Sequence, residues 1–164
     1  MKRIIFTAII MLGVVSSQAQ KVKQGSFHVL SNEKSVSVKI DYTESTIAKV
    51  PFDIFLEGEE DWDESYQEIL LKFVKSANQK SKGLKYLTKP TSNYFLIFKP
   101  LKIDNDGETR GILLLVDRDD NVIGVAELFH ARGGKFGSQI NLMGDASIRL
   151  GKKVATFINT HSKD

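Results

Sequence analysis

Residues 93–131 read NYFLIFKPLKIDNDGETRGILLLVDRDDNVIGVAELFHA, and the order of apolar runs and turn phrases in that stretch decides the architecture. Three apolar runs, at 93–103, 109–116 and 121–131, are cut by two polar phrases, DNDGE and DRDDN. Asp, Asn and Gly close tight turns, because their side chains bond local backbone or tolerate left-handed φ. Strand, turn, strand, turn, strand is an antiparallel meander. Pro100 has no N–H for a ladder, so it should mark a strand end, a bulge or an edge. YFLIF and ILLLV are apolar at every position rather than every second one. A sheet with one wet face alternates, so these runs predict cover on both faces.

Outward from the meander, two helices read clearly. Upstream, Trp62, Tyr66, Ile69, Leu70, Phe73, Val74 and Ala77 form one stripe at the 3.6-residue period. Carboxylates crowd its start and lysines its end, as the helix dipole favours, and Gly83 is placed to cap it in a left-handed conformation. Downstream, Met143, Ala146, Ser147, Leu150, Val154, Phe157 and Ile158 form a second stripe. Within it Ser147, Gly151 and Ala155 are small enough for a close approach to the sheet, while Arg149, Lys152 and Lys153 read as a solvated face. SVSVKIDY (35–42) alternates as a strand with one buried face. KYLT (85–88) reads as a short strand entered by a crossover, and Pro51 argues against a central strand in TIAKVPFDIFL. The fold class is therefore α/β, bordering on α+β: a mixed, largely antiparallel sheet of about 4–5 strands covered by two main amphipathic helices. Residues 35–160 are read as one domain, residues 20–34 as a loosely ordered lead-in, and 161–164 as a tail.

Ahead of that domain, Lys2-Arg3, the apolar run Ile4–Val15 and the small residues before a cut after Ala19 follow the pattern of a secretory signal peptide. The run is too short for a membrane span. The chain has no cysteine, which excludes disulfides, thiol chemistry and a lipid anchor on cysteine. Expected residence is periplasmic or secreted, with no transmembrane segment in the mature chain. Loss of Lys2 and Arg3 takes the 23 basic residues to 21 against 20 acidic. So near-neutral a surface argues against nucleic acid, whose binders concentrate basic charge on one face.

Four stretches could carry chemistry. HARGGKFGSQ (130–139) precedes the last helix and could cradle an anion through His130, Arg132, Gly133, Gly134, Lys135, Gly137 and Ser138. It lacks the P-loop and dinucleotide-binding spacings, so its glycines read first as a bend that turns the chain back over the sheet. EGEEDWDE (57–64) holds six carboxylates in eight positions; Asp61 and Glu64 have the spacing of a capping box, which accounts for them without a cation. DNDGE and DRDDN fail as EF-hand loops: with Gly107 at the sixth position, Lys102 and Leu113 fall where ligands belong. His130 is the one histidine set beside a basic residue at a strand end, with no nucleophile motif anywhere. No catalytic set, metal site or cofactor is assigned.

The order of elements, with SNYFLIFKPLKI, GILLLVDRDDNVIGVAELF and GDASIRLGKKVATFI over residues 35–160, resembles the amino-terminal domain of TolB and similar exported proteins of Gram-negative bacteria. Asn93-Tyr94-Phe95-Leu96 stands where that family opens its central strand, and Asp117-Arg118-Asp119-Asp120-Asn121-Val122 where it turns. The resemblance implies a docking or assembly module of the cell envelope and transfers no catalytic residue. The expected function is a non-catalytic module that recognises a protein partner or associates with itself. Phe52, Ile54, Phe55, Leu56, Phe129, Phe136 and Ile140, with part of the meander, are the interface candidates. A small apolar or anionic ligand at the Gly133–Gly137 bend, or a hydrolase using His130, are the alternatives.

Overall fold

The computed structural model describes residues 20–163, so the export signal expected over residues 1–19 lies outside the described residues. In chain order the elements are β1 (Lys21–Gly25), a 3-10 turn (His28–Asn32), β2 (Ser35–Ile40), β3 (Thr46–Ile47), β4 (Val50–Pro51), α1 (Phe52–Leu56), α2 (Trp62–Lys80), β5 (Lys85–Leu87), β6 (Phe95–Ile103), β7 (Thr109–Val116), β8 (Val122–Ala131) and α3 (Gln139–His161). They form an α/β fold around one mixed sheet, in the order β1-β8-β7-β6-β2-β5, with β3 and β4 at its margin. Among the described residues the sheet has eight strands rather than about 4–5; the additional ones are short or carry polar side chains, and so have no periodic signal.

The meander forms as its turns dictate. Asp117 Oδ1 accepts from the backbone N–H groups of Asp119 and Asn121, both at 2.9 Å, and Asp120 takes φ 60°. In the preceding turn Gly107 takes φ 74° and its N–H bonds Asp104 O at 2.9 Å. Pro100 sits at a bulge, where the β6–β7 register shifts between Pro100 and Lys102. β2 lies parallel to both β5 and β6, and the chain passes from β2 through α2 to β5 as the crossover that a parallel pair requires. The TIAKVPFDIFL stretch splits into a tight hairpin, with Ala48 at φ 50° and Lys49 at φ 70°, and the short α1.

Both long helices lie on one face of the sheet. Val36, Val38, Ile40, Leu96, Phe98, Leu113, Leu115, Ala126 and Phe129 share a buried cluster with Ile69, Phe73, Leu150, Val154 and Phe157. Ser147 and Gly151 serve a helix contact rather than the expected approach to the sheet: a Cβ at Gly151 would meet Phe73 O and Ser76 Oγ of α2, both at 2.2 Å, and Ser147 Oγ bonds Ile69 O. The capping box is likewise not formed. Asp61 holds the N-cap position of α2 without a side-chain cap bond, and α2 closes on Ser81 rather than Gly83.

The second face is where structure and sequence diverge. Ile97, Leu114 and Val125 are directly opposed across β6, β7 and β8; with Phe95 and Ile112 they are half-buried and stand outside the helix-side cluster. Among the described residues no helix covers them. The unbroken apolar runs reflect a sheet that is apolar on both faces and roofed on one.

The lead-in at 20–34, expected to be loosely held, is part of the fold. β1 pairs antiparallel with β8, and Phe27 and Leu30 are buried in the core, Phe27 edge-on to Phe157 with ring centroids 5.1 Å apart. The side chains of β1 are all exposed, which is why KVKQG shows no alternation. No helix among the described residues is long and apolar enough to cross a membrane.

Candidate functional site

The glycine bend at the end of β8 lines an open cleft of about 770 Å³ with Asp106, Glu108, His130, Arg132, Gly133, Gly134, Lys135, Arg149 and Lys153. Hairpin register builds it: Arg110 on β7 pairs with His130 on β8, which brings Glu108 beneath the imidazole. His130 Nε2 is shielded from solvent and lies 3.0 Å from Glu108 Oε1, off the line of a hydrogen bond. Arg110 holds the same Oε1 from NH2 at 2.7 Å and from Nε at 3.2 Å. The Arg110 guanidinium, and after it the His130 ring, keep Glu108 below the ordinary carboxylate range.

Arg149 and Lys153 are exposed, as expected of a solvated face, and each also reaches backbone carbonyls. Arg149 NH1 donates to Arg132 O and Gly133 O at 2.7 and 2.6 Å, and Lys153 Nζ donates to His130 O at 2.5 Å. They tie α3 to backbone carbonyls at the end of β8 and in the bend that follows it. The glycines are contact residues. A Cβ at Gly133 would stand 1.9 Å from Asp106 O, and one at Gly134 would stand 2.2 Å from Asp145 Oδ2. The β6–β7 turn thus packs backbone to backbone on the bend.

Of the residues expected at an anion site, the fold brings together His130, Arg132, Gly133, Gly134 and Lys135. Gly137, at φ 117°, leads into α3. Ser138 is its N-cap, with Oγ accepting from Asn141 N. The cleft residues missed from sequence were Asp106, Glu108, Arg149 and Lys153, each distant in the chain.

The interface candidates divide. Phe129 is 1% exposed and packs against Phe98 and Phe157, so it belongs to the core and cannot present a surface. The β7–β8 register shift between Gly111 and Leu113 puts Ala126 and Phe129 on the same face. Ile140 is half-buried against that core. Phe52 stacks on Tyr42, and Phe52 and Phe55 pack edge-on to Trp62; Ile54 is 49% exposed and Leu56 is half-buried. Phe136 is 88% exposed. The half-buried face of Ile97, Ile112, Leu114 and Val125 belongs to the meander surface expected in part as an interface. Around it stand Lys39, Lys99, which bonds Glu44 at 2.8 Å, and the Lys23–Glu127 ion pair at 2.5 Å. The acidic run at 57–64 does not converge: among the described residues no three acidic or histidine side chains gather as metal ligands.

No protein-family model matches the chain, and no curated protein matches its sequence. Among solved structures it is similar to the PelC dodecamer from Paraburkholderia phytofirmans, at 11% identity over 82% of this chain and 97% of that one, with a TM-score of 0.40. A crystal structure of an uncharacterized protein is similar at 10% identity over 76% of this chain and 92% of the other, with a TM-score of 0.43. Both are distant likenesses in backbone path.

Proposed function

We propose that this chain is an exported, non-catalytic binding or assembly module of the cell envelope that recognises a protein partner through the open face of its sheet. The observation that carries the reading is the half-buried apolar row Ile97–Leu114–Val125, flanked by Phe95 and Ile112, outside the helix-side core and covered by no helix among the described residues. An apolar centre with a charged rim is the anatomy of a protein interface, and contiguous apolar surface on a folded protein marks an interaction site. Export rests on the leader pattern of residues 1–19.

The test is affinity capture from envelope extract, with solution mass, for the wild type and Leu114→Glu. Leu114 is half-buried outside the helix-side cluster, so Leu114→Glu should keep its far-UV spectrum and lose the captured partner or the self-associated species. A wild type that is strictly monomeric and captures nothing overturns the proposal.

A hydrolytic reading has one observation in its favour, the acid at His130. That acid is already bound by Arg110, which makes Glu108 a weak base, and among the described residues no hydroxyl or thiol lines the cleft. His130→Ala should therefore leave any partner-binding role intact.

A further inference from the structure

Phe136 stands out among the exposed apolar side chains: it is 88% exposed, against 58% for Leu71 and 52% for Val122. It sits at the tip of the bend, between Lys135 and Gly137, and lines none of the clefts described above. A lone exposed hydrophobe is ordinary, but this one adjoins a concentration of positive charge. Arg110, Arg132, Lys135, Arg149 and Lys153 surround or line the neighbouring cleft, against Asp106, Glu108 and Asp145, and Glu108 is matched by Arg110. Arg149 spends only NH1 on the carbonyls of Arg132 and Gly133. Among the described residues the backbone N–H groups of Gly133, Gly134 and Lys135 have no acceptor. Lys153 is spent on His130 O and Arg110 on Glu108, which leaves Arg132 and Lys135 as the exposed cations beside an exposed ring.

We infer that the bend binds the phosphate of an anionic lipid headgroup, with Phe136 entering the headgroup–acyl boundary beside it. Free backbone N–H groups with Arg and Lys around them suit a phosphate oxyanion. The ring identifies the source. A soluble phosphate offers nothing to a projecting aromatic side chain, and a partner protein would need a preformed pocket for it, whereas a bilayer surface receives an aromatic ring while basic neighbours stay at the headgroups. Membrane attraction by basic side chains is local and fades within a Debye length, so the near-neutral charge of the whole chain does not oppose it.

The test is vesicle co-sedimentation of the form beginning at Gln20, using phosphatidylglycerol–phosphatidylcholine and pure phosphatidylcholine vesicles. Binding to the anionic vesicles alone, weakened about tenfold by Phe136→Ser and at least as much by Arg132→Gln with Lys135→Gln, is expected. Phe136→Trp should show a blue-shifted emission on binding, and Leu114→Glu should bind vesicles like the wild type. Inorganic phosphate at millimolar concentration should not displace the protein. Equal binding to both vesicle types, unchanged binding by Phe136→Ser, loss of binding in Leu114→Glu, or a site that takes phosphate or an acidic protein but no vesicle would each overturn the inference.

Discussion

Two side chains of opposite fortune show how local contacts set stability. Tyr86 on β5 is 1% exposed; its backbone is held on both sides by the Asn78 amide, Nδ2 to Tyr86 O and Tyr86 N to Oδ1, each at 2.9 Å. Its hydroxyl has no partner among the described residues, and burial drives its ionisation far above the usual tyrosine range. A buried polar atom without a bond costs about 1–3 kcal/mol, so Tyr86→Phe should raise the urea midpoint with little change in slope. Gly133 is the reverse case. A Cβ there would meet Asp106 O and Gly107 Cα, which are backbone and cannot step aside without displacing the β6–β7 turn. Gly133→Ala should therefore lower stability by about 1–3 kcal/mol, measured by the same titration.

At the scale of elements, periodic segments were legible and unperiodic ones were not. The stripe from Trp62 to Ala77 and the Asp-rich turns carry their geometry in residue type and spacing, and both formed where expected. β1 carries no periodic signal, because KVKQG joins the sheet by ladder bonds and one exposed ion pair and buries no side chain. The inward face of Phe129 depends on a register shift, which residue spacing does not encode and only the paired strands reveal. The Asp117–Asn121 turn carries a pH signature. Asn121's side chain, then its backbone N–H and that of Asp119, hold Asp117 below its ordinary value of 3.8. The folded chain thus keeps this charge at a pH where the unfolded chain has begun to protonate. The stabilisation is complete above the ordinary value and disappears as pH falls through the folded one. Asp117→Ala should accordingly flatten the fall in stability below about pH 4 and leave the profile above pH 5 parallel to wild type, as read from unfolding midpoints across a pH series.

For the molecule as a whole, the decisive fact is an unequal pair of layers, two helices on one side of the sheet and none among the described residues on the other. The cleft was half legible: the glycines and basic residues at 130–135 are contiguous in sequence, but Glu108, Arg149 and Lys153 arrive through hairpin register and helix docking, which spacing cannot encode. Removing residues 20–25 tests the other margin of the sheet. β1 contributes no core side chain, so the shortened chain should still fold, with β8 now an unpaired edge. Such edges invite strand addition, and concentration-dependent oligomers should appear in size-exclusion profiles at neutral pH. The seam between α2 and α3 has a different consequence. Where Gly151 lies against the Phe73 carbonyl and Ser76 Oγ there is no space for one more methyl group, so the separation of the two helices is fixed there by contact with backbone rather than by interdigitating side chains.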